Sequence, residues 1–202
     1  MSSRDFILDR VRRNQPAPLA LPEMPSFDRP RASSWQTFAA ALTRMGGTVA
    51  EAPAPGQLNR LIGERFPDAK VICSATPEWR GTRELSALSS PAELADVDLG
   101  IVRGAFGVAE TGSVYLSEAE LGINALGFLS QHLLVLLDPA AIVADLHHAY
   151  HQRGFFEARY AVLMTGPSAT ADIEGVLIRG AQGIRSFTLV PLANPAASPT
   201  PT

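Results

Sequence analysis

The stretch that decides the fold is residues 131–138, which read Gln-His-Leu-Leu-Val-Leu-Leu-Asp. Its Leu and Val residues follow one another without polar residues between them, so neither face of the segment is suited to water. Such a run is typical of a strand in a parallel sheet that is covered on both faces. We therefore expect residues 131–138 to form a buried strand of such a sheet.

Strand-like and helical segments alternate on both sides of this run. Apolar, strand-sized patterns occupy residues 48–50, 70–75, 99–102, 114–116, 160–164 and 187–191. Helical patterns occupy residues 34–45, 57–65, 91–95, 139–151 and 171–177. Ser34 can cap the first of these helices, and Pro139 suits a first helical turn. The alternation predicts an α/β fold with a mostly parallel sheet covered by helices.

The two ends of the chain differ from its body. Residues 3–13 place apolar side chains at helical spacing, which predicts a short amphipathic helix. Prolines then recur through residues 14–33, and because each one blocks a helix we expect an extended linker. Residues 193–202 are mostly Pro, Ala, Ser and Thr, which predicts a flexible tail. We therefore expect an N-terminal helix and linker over residues 1–33 and one α/β domain over residues 34–192.

Composition argues against several classes of function. The net charge of -3 provides no broad basic field, so nucleic acid is not an expected partner. Cys73 is the only cysteine, which excludes an internal disulfide and a cysteine cluster for zinc or iron–sulfur. The chain has no apolar run of about 20 residues and begins without a signal-peptide pattern. We expect a cytoplasmic protein that does not bind membranes.

A first polar segment, residues 103–113, lies between two predicted strands and reads Arg-Gly-Ala-Phe-Gly-Val-Ala-Glu-Thr-Gly-Ser. Its three glycines predict backbone conformations that a Cβ would hinder, but their spacing fits neither a Walker loop nor a dinucleotide-binding turn. Glu110 could serve as a general base, a nucleophile or a covalent anchor if burial raises its pKa. It could equally well only accept N–H groups of the turn. Thr111 and Gly112 are candidate ligand-binding neighbours.

A second polar segment, residues 165–172, reads Thr-Gly-Pro-Ser-Ala-Thr-Ala-Asp and joins a predicted strand to a predicted helix. Open α/β sheets bind ligands at such junctions, because free N–H groups and the helix dipole converge there. The candidate ligand-binding residues are Gly166, Pro167, Ser168, Thr170 and Asp172. The alternative is that the polar side chains only cap the helix.

A third segment, residues 179–185, reads Arg-Gly-Ala-Gln-Gly-Ile-Arg and predicts a turn before the last strand. Gly180 and Gly183 are further ligand-binding candidates. Arg185 or Arg103 could hold a carboxylate through two parallel hydrogen bonds, although a surface arginine is the commoner outcome.

The remaining reactive side chains have structural interpretations. His147 and His151 share a helix face at a spacing compatible with a metal, but a solvated face is favoured and we predict no metal site. His132 is interpreted as a satisfied core histidine, and Cys73 as a buried, inert thiol.

The chain resembles the lactate utilization protein family, in particular its single-domain C-type members. The resemblance rests on Ala-Glu-Thr-Gly-Ser at 109–113, Thr-Gly-Pro-Ser-Ala-Thr-Ala-Asp-Ile-Glu at 165–174 and Gly-Ala-Gln-Gly at 180–183. The order and spacing of these motifs agree as well. Where the family often has His, Pro, Arg and Pro, this chain has Gln182, Ile184, Asn124 and Ser130.

The resemblance implies a fold like that of the glucosamine-phosphate deaminase, ribose-phosphate isomerase and CoA-transferase superfamily, with a Rossmann-like sheet and a ligand site at strand ends. It also implies a role in the bacterial oxidation of L-lactate to pyruvate beside iron–sulfur partner proteins. The clusters would belong to those partners, because one cysteine cannot ligate a cluster.

Three functions remain in competition. The first is an accessory component of the lactate-oxidising system that binds a small carboxylate or phosphorylated ligand between Glu110 and residues 168–172. The second is a stand-alone enzyme of the CoA-transferase or nucleotide-dependent type. The third is a non-catalytic scaffold whose N-terminal helix docks on a partner. The sequence leaves open the cofactor, catalysis by the chain itself, and the oligomeric state, including a homo-oligomer.

Overall fold

The computed structural model describes residues 2–17, 19–20, 34–152, 154–172 and 174–194. Most of the predicted linker over 14–33 and of the predicted tail over 193–202 therefore lies outside the described residues. Helix α1, Ser3–Arg13, matches the expected N-terminal helix. Ser2 caps it, accepting the N–H of Asp5, whose carboxylate in turn accepts the N–H of Ser2. No residue of α1 is buried.

Six further α-helices lie in the described part of the chain. In chain order they are α2 Trp35–Arg44, α3 Leu58–Arg65, α4 Glu118–Leu121, α5 Leu126–Leu129, α6 Leu146–Tyr150 and α7 Gly154–Glu157. Two 3-10 helices span Leu85–Ala87 and Pro91–Leu94. Ser34 caps α2 as expected, because its hydroxyl accepts the N–H of Thr37. Across the described part of the chain, no helix combines the length and the apolar character needed to cross a bilayer.

The strands form a five-stranded sheet, a four-stranded sheet and a two-stranded hairpin. In chain order they are β1 Thr48–Val49, β2 Ile72–Ser74, β3 Leu99–Arg103, β4 Phe106–Val108, β5 Ser113–Ser117, β6 His132–Leu137, β7 Ile142–Val143, β8 Ala161–Met164, β9 Ala169–Thr170, β10 Ile178–Arg179 and β11 Ser186–Pro191.

The five-stranded sheet is parallel throughout and has the order β1-β11-β6-β3-β2. Strand β6 is central, between β11 and β3, and its residues from Leu133 to Leu137 are fully buried. The apolar run at 131–138 is therefore the middle strand of a parallel sheet covered on both faces. This confirms the predicted fold class.

The two faces of the parallel sheet are covered differently. On one face, Ile62 of α3 packs with Leu134 and Leu136 of the sheet. On the other face, Phe38 of α2 packs with Leu133, alongside residues from the four-stranded sheet and from α4 and α5. Each face thus excludes water, although helices supply only part of the cover on the second face.

The four-stranded sheet has the order β7-β4-β5-β8, with β5 antiparallel to both of its neighbours. Val114 and Leu116 of β5 join the core against the parallel sheet. Phe106 and Tyr115 form a separate cluster on the outer face. Their rings stack with 4.8 Å between the ring centroids. The glycine-rich segment at 103–113 thus contains a strand that its sequence pattern did not predict.

The helix predicted over 139–151 is wrong over its first half. Strand β7 pairs there with β4, and the N–H of Gly107 donates to the carbonyl of Ala141 at 2.8 Å. Helix α6 begins only after Asp145, whose carboxylate accepts the N–H of His148 at 3.0 Å. Pairing with a distant strand outweighs the local helical pattern.

The helix predicted over 171–177 is also wrong. Strands β9 and β10 pair antiparallel on either side of this segment, with Thr170 opposite Ile178. Glu174 and Gly175 have φ of +53° and +71°, a left-handed conformation that does not continue a helix. No helix begins among the described residues 166–172 and 174–177, so the helix dipole expected at this ligand site is not found there.

Candidate functional site

The first two polar segments meet at the edge between β5 and β8. The hydroxyls of Ser113 and Thr165 are hydrogen-bonded, and the hydroxyl of Thr111 lies 2.7 Å from that of Ser113. Antiparallel pairing of Val114 with Met164 places these hydroxyls together. The structure therefore joins Thr111 and Ser113 of the first motif to Thr165 at the start of the second.

Helix α2 rests on a glycine from each motif. Gly112 has φ +71°, and a Cβ there would overlap the backbone nitrogen of Leu42. Gly166 has φ +69°, and a Cβ there would lie 2.8 Å from the carbonyl oxygen of Met45. The sequence predicted left-handed turns or close approaches at these glycines, and the approaching group is the backbone around the end of α2.

Glu110 lies on the other side of the β4–β5 hairpin. Its N–H donates to the carbonyl of Ala144 at 3.0 Å, and its carboxylate accepts the N–H of Leu146 at 3.2 Å. Glu110 thus contacts the residues that follow β7, whereas Thr165 follows β8 at the opposite edge of the sheet. Acceptance of turn N–H groups is the structural role that the sequence left open. A catalytic role for Glu110 remains a prediction.

The second and third polar segments also come together. The N–H of Ser168 donates to the carbonyl of Ile184 at 3.0 Å, and its carbonyl accepts the N–H of Gly180 at 2.6 Å. A Cβ on Gly183 would lie 3.5 Å from the Cβ of Ser168. Pro167 is buried beside these residues in sequence. Ser168 therefore joins the second polar segment to the third at Gly180 and Gly183.

Thr170 and Asp172 lie in and beside the β9–β10 hairpin. The Thr170 hydroxyl accepts the N–H of Asp172 at 3.3 Å, and Asp172 is exposed. Arg179 pairs with Ala169 in the same hairpin, and a Cβ on Gly46 would lie 2.7 Å from its Nε. Its guanidinium makes no ion pair with any residue that the structure describes. Arg179 could not be predicted as a site residue, because nothing in the motif distinguishes it from a surface arginine.

Arg103 is already engaged and is not a free carboxylate clamp. Its Nε donates to Glu78 at 2.5 Å and its Nη1 donates to the carbonyl of Leu192 at 3.0 Å. Its Nη2 is buried and has no partner among residues 2–17, 19–20, 34–152, 154–172 and 174–194. Burial raises the pKa of Glu78, but hydrogen bonds from Thr76 and Arg103 and the Arg103 charge bring that pKa below its ordinary value.

The histidines do not assemble a metal site. Within the described residues, no three His, Cys, Asp or Glu side chains come together as a metal would require. His148 pairs with Asp145 at 2.7 Å, close to the end of the short helix α6. Cys73 is fully buried, and burial raises the pKa of its thiol, which suits the inert role expected for it.

Two cavities lie away from the predicted residues. One of about 660 Å³ lies over the outer face of the four-stranded sheet, beside Tyr115, Glu118 and Glu157. The other, of about 500 Å³, lies at the amino ends of the parallel strands and includes His132. Neither of these two cavities is lined by Glu110 or by residues 166–172.

Comparison with known proteins identifies relatives in family and fold. A family model described as the LUD domain matches residues 91–190, which contain all three predicted motifs. The crystal structure of a DUF162 family protein from Deinococcus radiodurans is similar, with a TM-score of 0.59 and 17% sequence identity over 77% of this chain and 93% of that chain. At this identity the likeness shows the fold alone. No curated protein matches the chain.

Proposed function

The chain belongs to the LUD-domain family, and on that premise we propose that it is an accessory component of a bacterial system that oxidises L-lactate to pyruvate. The observation that carries the proposal is the family match over residues 91–190, where the three polar segments lie. In this proposal the protein works in the cytoplasm and the oxidation itself takes place with partner proteins.

Iron–sulfur subunits are the partners that we propose. Clusters are held by several cysteine thiolates, and this chain has the single cysteine Cys73, which is fully buried in a strand. Electron transfer through clusters would therefore require other chains. The LUD-domain protein would supply a ligand site, a docking surface, or both.

We place the ligand site where the second and third polar segments meet. Arg179 offers an exposed guanidinium beside Gly46 at the end of α2, and the half-buried Ser168 and Thr170 flank its pairing partner Ala169. Guanidinium groups bind carboxylates and phosphates through paired hydrogen bonds, so the surface suits a small carboxylate or a phosphorylated ligand. Thr111 and Gly112 would support this surface from the neighbouring hairpin through the contact between Ser113 and Thr165.

Gene deletion with complementation tests the proposal. Cells that lack the gene should fail to grow on L-lactate and should grow normally on pyruvate. The wild-type gene should restore growth, Arg179→Gln should restore it poorly, and Arg44→Gln, which changes an exposed arginine of α2, should restore it fully. Unchanged growth of the deletion strain on L-lactate would contradict the role.

Helix α1 supports a second candidate function, a scaffold that docks on a partner. Phe6, Ile7 and Val11 are 56%, 60% and 53% exposed, and no residue of the helix is buried. A helix that keeps large apolar side chains in water is suited to bind a complementary groove. Removal of residues 1–33 should then abolish recovery of the iron–sulfur partners while the α/β domain stays folded. Recovery of the same partners by the truncated protein would exclude this role for α1.

A further inference from the structure

A groove of about 500 Å³ lies at the amino ends of the parallel strands, at the opposite end of the sheet from Arg103. Its lining includes Arg65, Phe66, Asp98, His132, Arg185 and Ser186. This volume lies in the range of small-molecule sites, which is about 300–1,000 Å³. None of the residues from 166 to 172 lines it, so it is distinct from the site proposed above.

A histidine–serine pair lies in the groove. His132 and Ser186 begin adjacent parallel strands and are partners in the register of β6 with β11. His132 Nδ1 lies 2.7 Å from Ser186 Oγ, and both residues are half-buried. Burial lowers the pKa of His132, the charge of Arg185 lowers it further, and Asp98 opposes both effects. The imidazole is therefore neutral near pH 7 and offers hydrogen bonds without a charge.

Two arginines supply positive charge to the same groove. Arg65 lies at the end of α3 and Arg185 lies immediately before β11, and both are exposed. Neither guanidinium has an ion pair or a hydrogen bond to a residue described by the structure. Two unengaged guanidiniums at one groove favour a ligand with a carboxylate or a phosphate.

The acidic residues of the groove do not cancel this charge by direct contact. One carboxylate oxygen of Asp98 accepts the N–H groups of Lys70 and Val71 at 2.8 and 2.9 Å. Hydrogen bonds from these two N–H groups lower the pKa of Asp98, so it stays ionised while it anchors the loop before β2. Asp68 is exposed in the turn after Phe66. Like the two arginines, Asp68 has no ion pair or hydrogen bond to a described residue, so neither carboxylate of the groove occupies a guanidinium.

An aromatic side chain gives the groove an apolar wall. The ring of Phe66 lies 5.5 Å from the His132 ring between centroids, and Phe66 is half-buried. We propose that the groove binds a small organic anion, with its carboxylate or phosphate on Arg185 and Arg65 and its apolar body against Phe66 beside the His132–Ser186 pair. This site is independent of the proposed role in lactate oxidation.

The proposal is tested by titrating the full chain with three probes. Calorimetry and the His132 ring signals in NMR spectra measure the binding. Benzoate and phenyl phosphate each carry an anionic group on a ring, and inorganic phosphate carries the charge alone. Binding of one or both ring-bearing probes, at least tenfold tighter than that of inorganic phosphate, supports the site and identifies the preferred head group. Equal binding of all three probes would exclude the role of Phe66, and no binding would overturn the site.

Matched arginine variants locate the binding. Arg185→Gln should weaken the binding of the preferred probe at least tenfold, and Arg65→Gln, which changes the other arginine of the groove, provides a second test should Arg185→Gln fold poorly. Arg80→Gln is the control, because Arg80 is exposed, pairs with Glu84 at 2.7 Å and does not line the groove. Affinity that is unchanged in both groove variants would overturn the proposal.

Discussion

The hydroxyls of Ser113 and Thr165 are hydrogen-bonded although these residues are 52 positions apart in the sequence. Ser113 is 5% exposed, and its hydroxyl also lies 2.7 Å from that of Thr111. This contact connects two of the motifs that characterise the chain. Because the hydroxyls satisfy one another, removal of one leaves the others with an unmet hydrogen bond in a partly buried place.

A double-mutant cycle measures this connection. Ser113→Ala should lower the free energy of unfolding by about 1–3 kcal/mol, because Thr165 loses its partner. Thr165→Val should cost a similar amount. The double variant should cost less than the sum of the two, which urea denaturation can measure. Strict additivity would show that the two hydroxyls do not interact in solution.

Gly112 should tolerate no side chain. Gly112→Ala should cost about 2 kcal/mol or more, because it combines a left-handed φ with overlap against the backbone of α2. Gly63→Ala is the matched control, since Gly63 lies exposed within α3 with nothing within 4 Å of an added Cβ. It should raise stability by about 0.5–1 kcal/mol. Equal effects of the two variants would show that α2 does not rest on Gly112.

Stability should fall in acid partly through Glu78. Its pKa in the folded protein is below the ordinary value, so its contribution is present above the unfolded pKa and is lost as the pH falls through the folded pKa. Glu78→Gln should lower stability at pH 7 by about 3 kcal/mol, because the buried Arg103 loses its counter-ion. It should also flatten the acid limb of the stability curve.

The control for that experiment is Glu84→Gln, which changes a carboxylate in an exposed pair with Arg80. It should leave both the stability at pH 7 and the acid limb nearly unchanged, because exposed ion pairs contribute little. A steep acid limb that persists in Glu78→Gln would assign the acid sensitivity to other groups.

Substitutions at Glu110 separate a structural role from a catalytic one. If its carboxylate only accepts the N–H of Leu146, Glu110→Gln should keep that bond through its amide oxygen and support growth on L-lactate. Glu110→Ala should lower stability by loss of the acceptor. A catalytic carboxylate would instead make both variants equally inactive while both stay folded. Complementation and thermal melts of the two variants together decide this.

The strands with the longest apolar runs could be predicted from the sequence, because their burial on both faces leaves a local pattern. This holds for the central strand, His132–Leu137, and for the cap at Ser34. Strands of two or three residues, such as Ile142–Val143, exist only through pairing with a distant neighbour. A local pattern carries no information on that neighbour, so Pro139 and the residues after it resembled a helix.

For the candidate site, too, the sequence predicted local features and not the distant groups that they contact. The sequence indicates that Gly112 and Gly166 need room, but the group that fills this room belongs to α2, about 70 and 120 residues away. The groove at His132 had a weak signal, since His132 and Ser186 each immediately precede an apolar strand core. Only the parallel pairing of those two strands places the side chains together.

The most direct test of the central claim is L-lactate-dependent reduction of an electron acceptor by extracts of cells that lack the gene. We predict that such extracts reduce the acceptor slowly and that addition of the purified full-length protein restores the wild-type rate. Extracts of the deletion strain that already match the wild type, with or without added protein, would contradict a role in lactate oxidation.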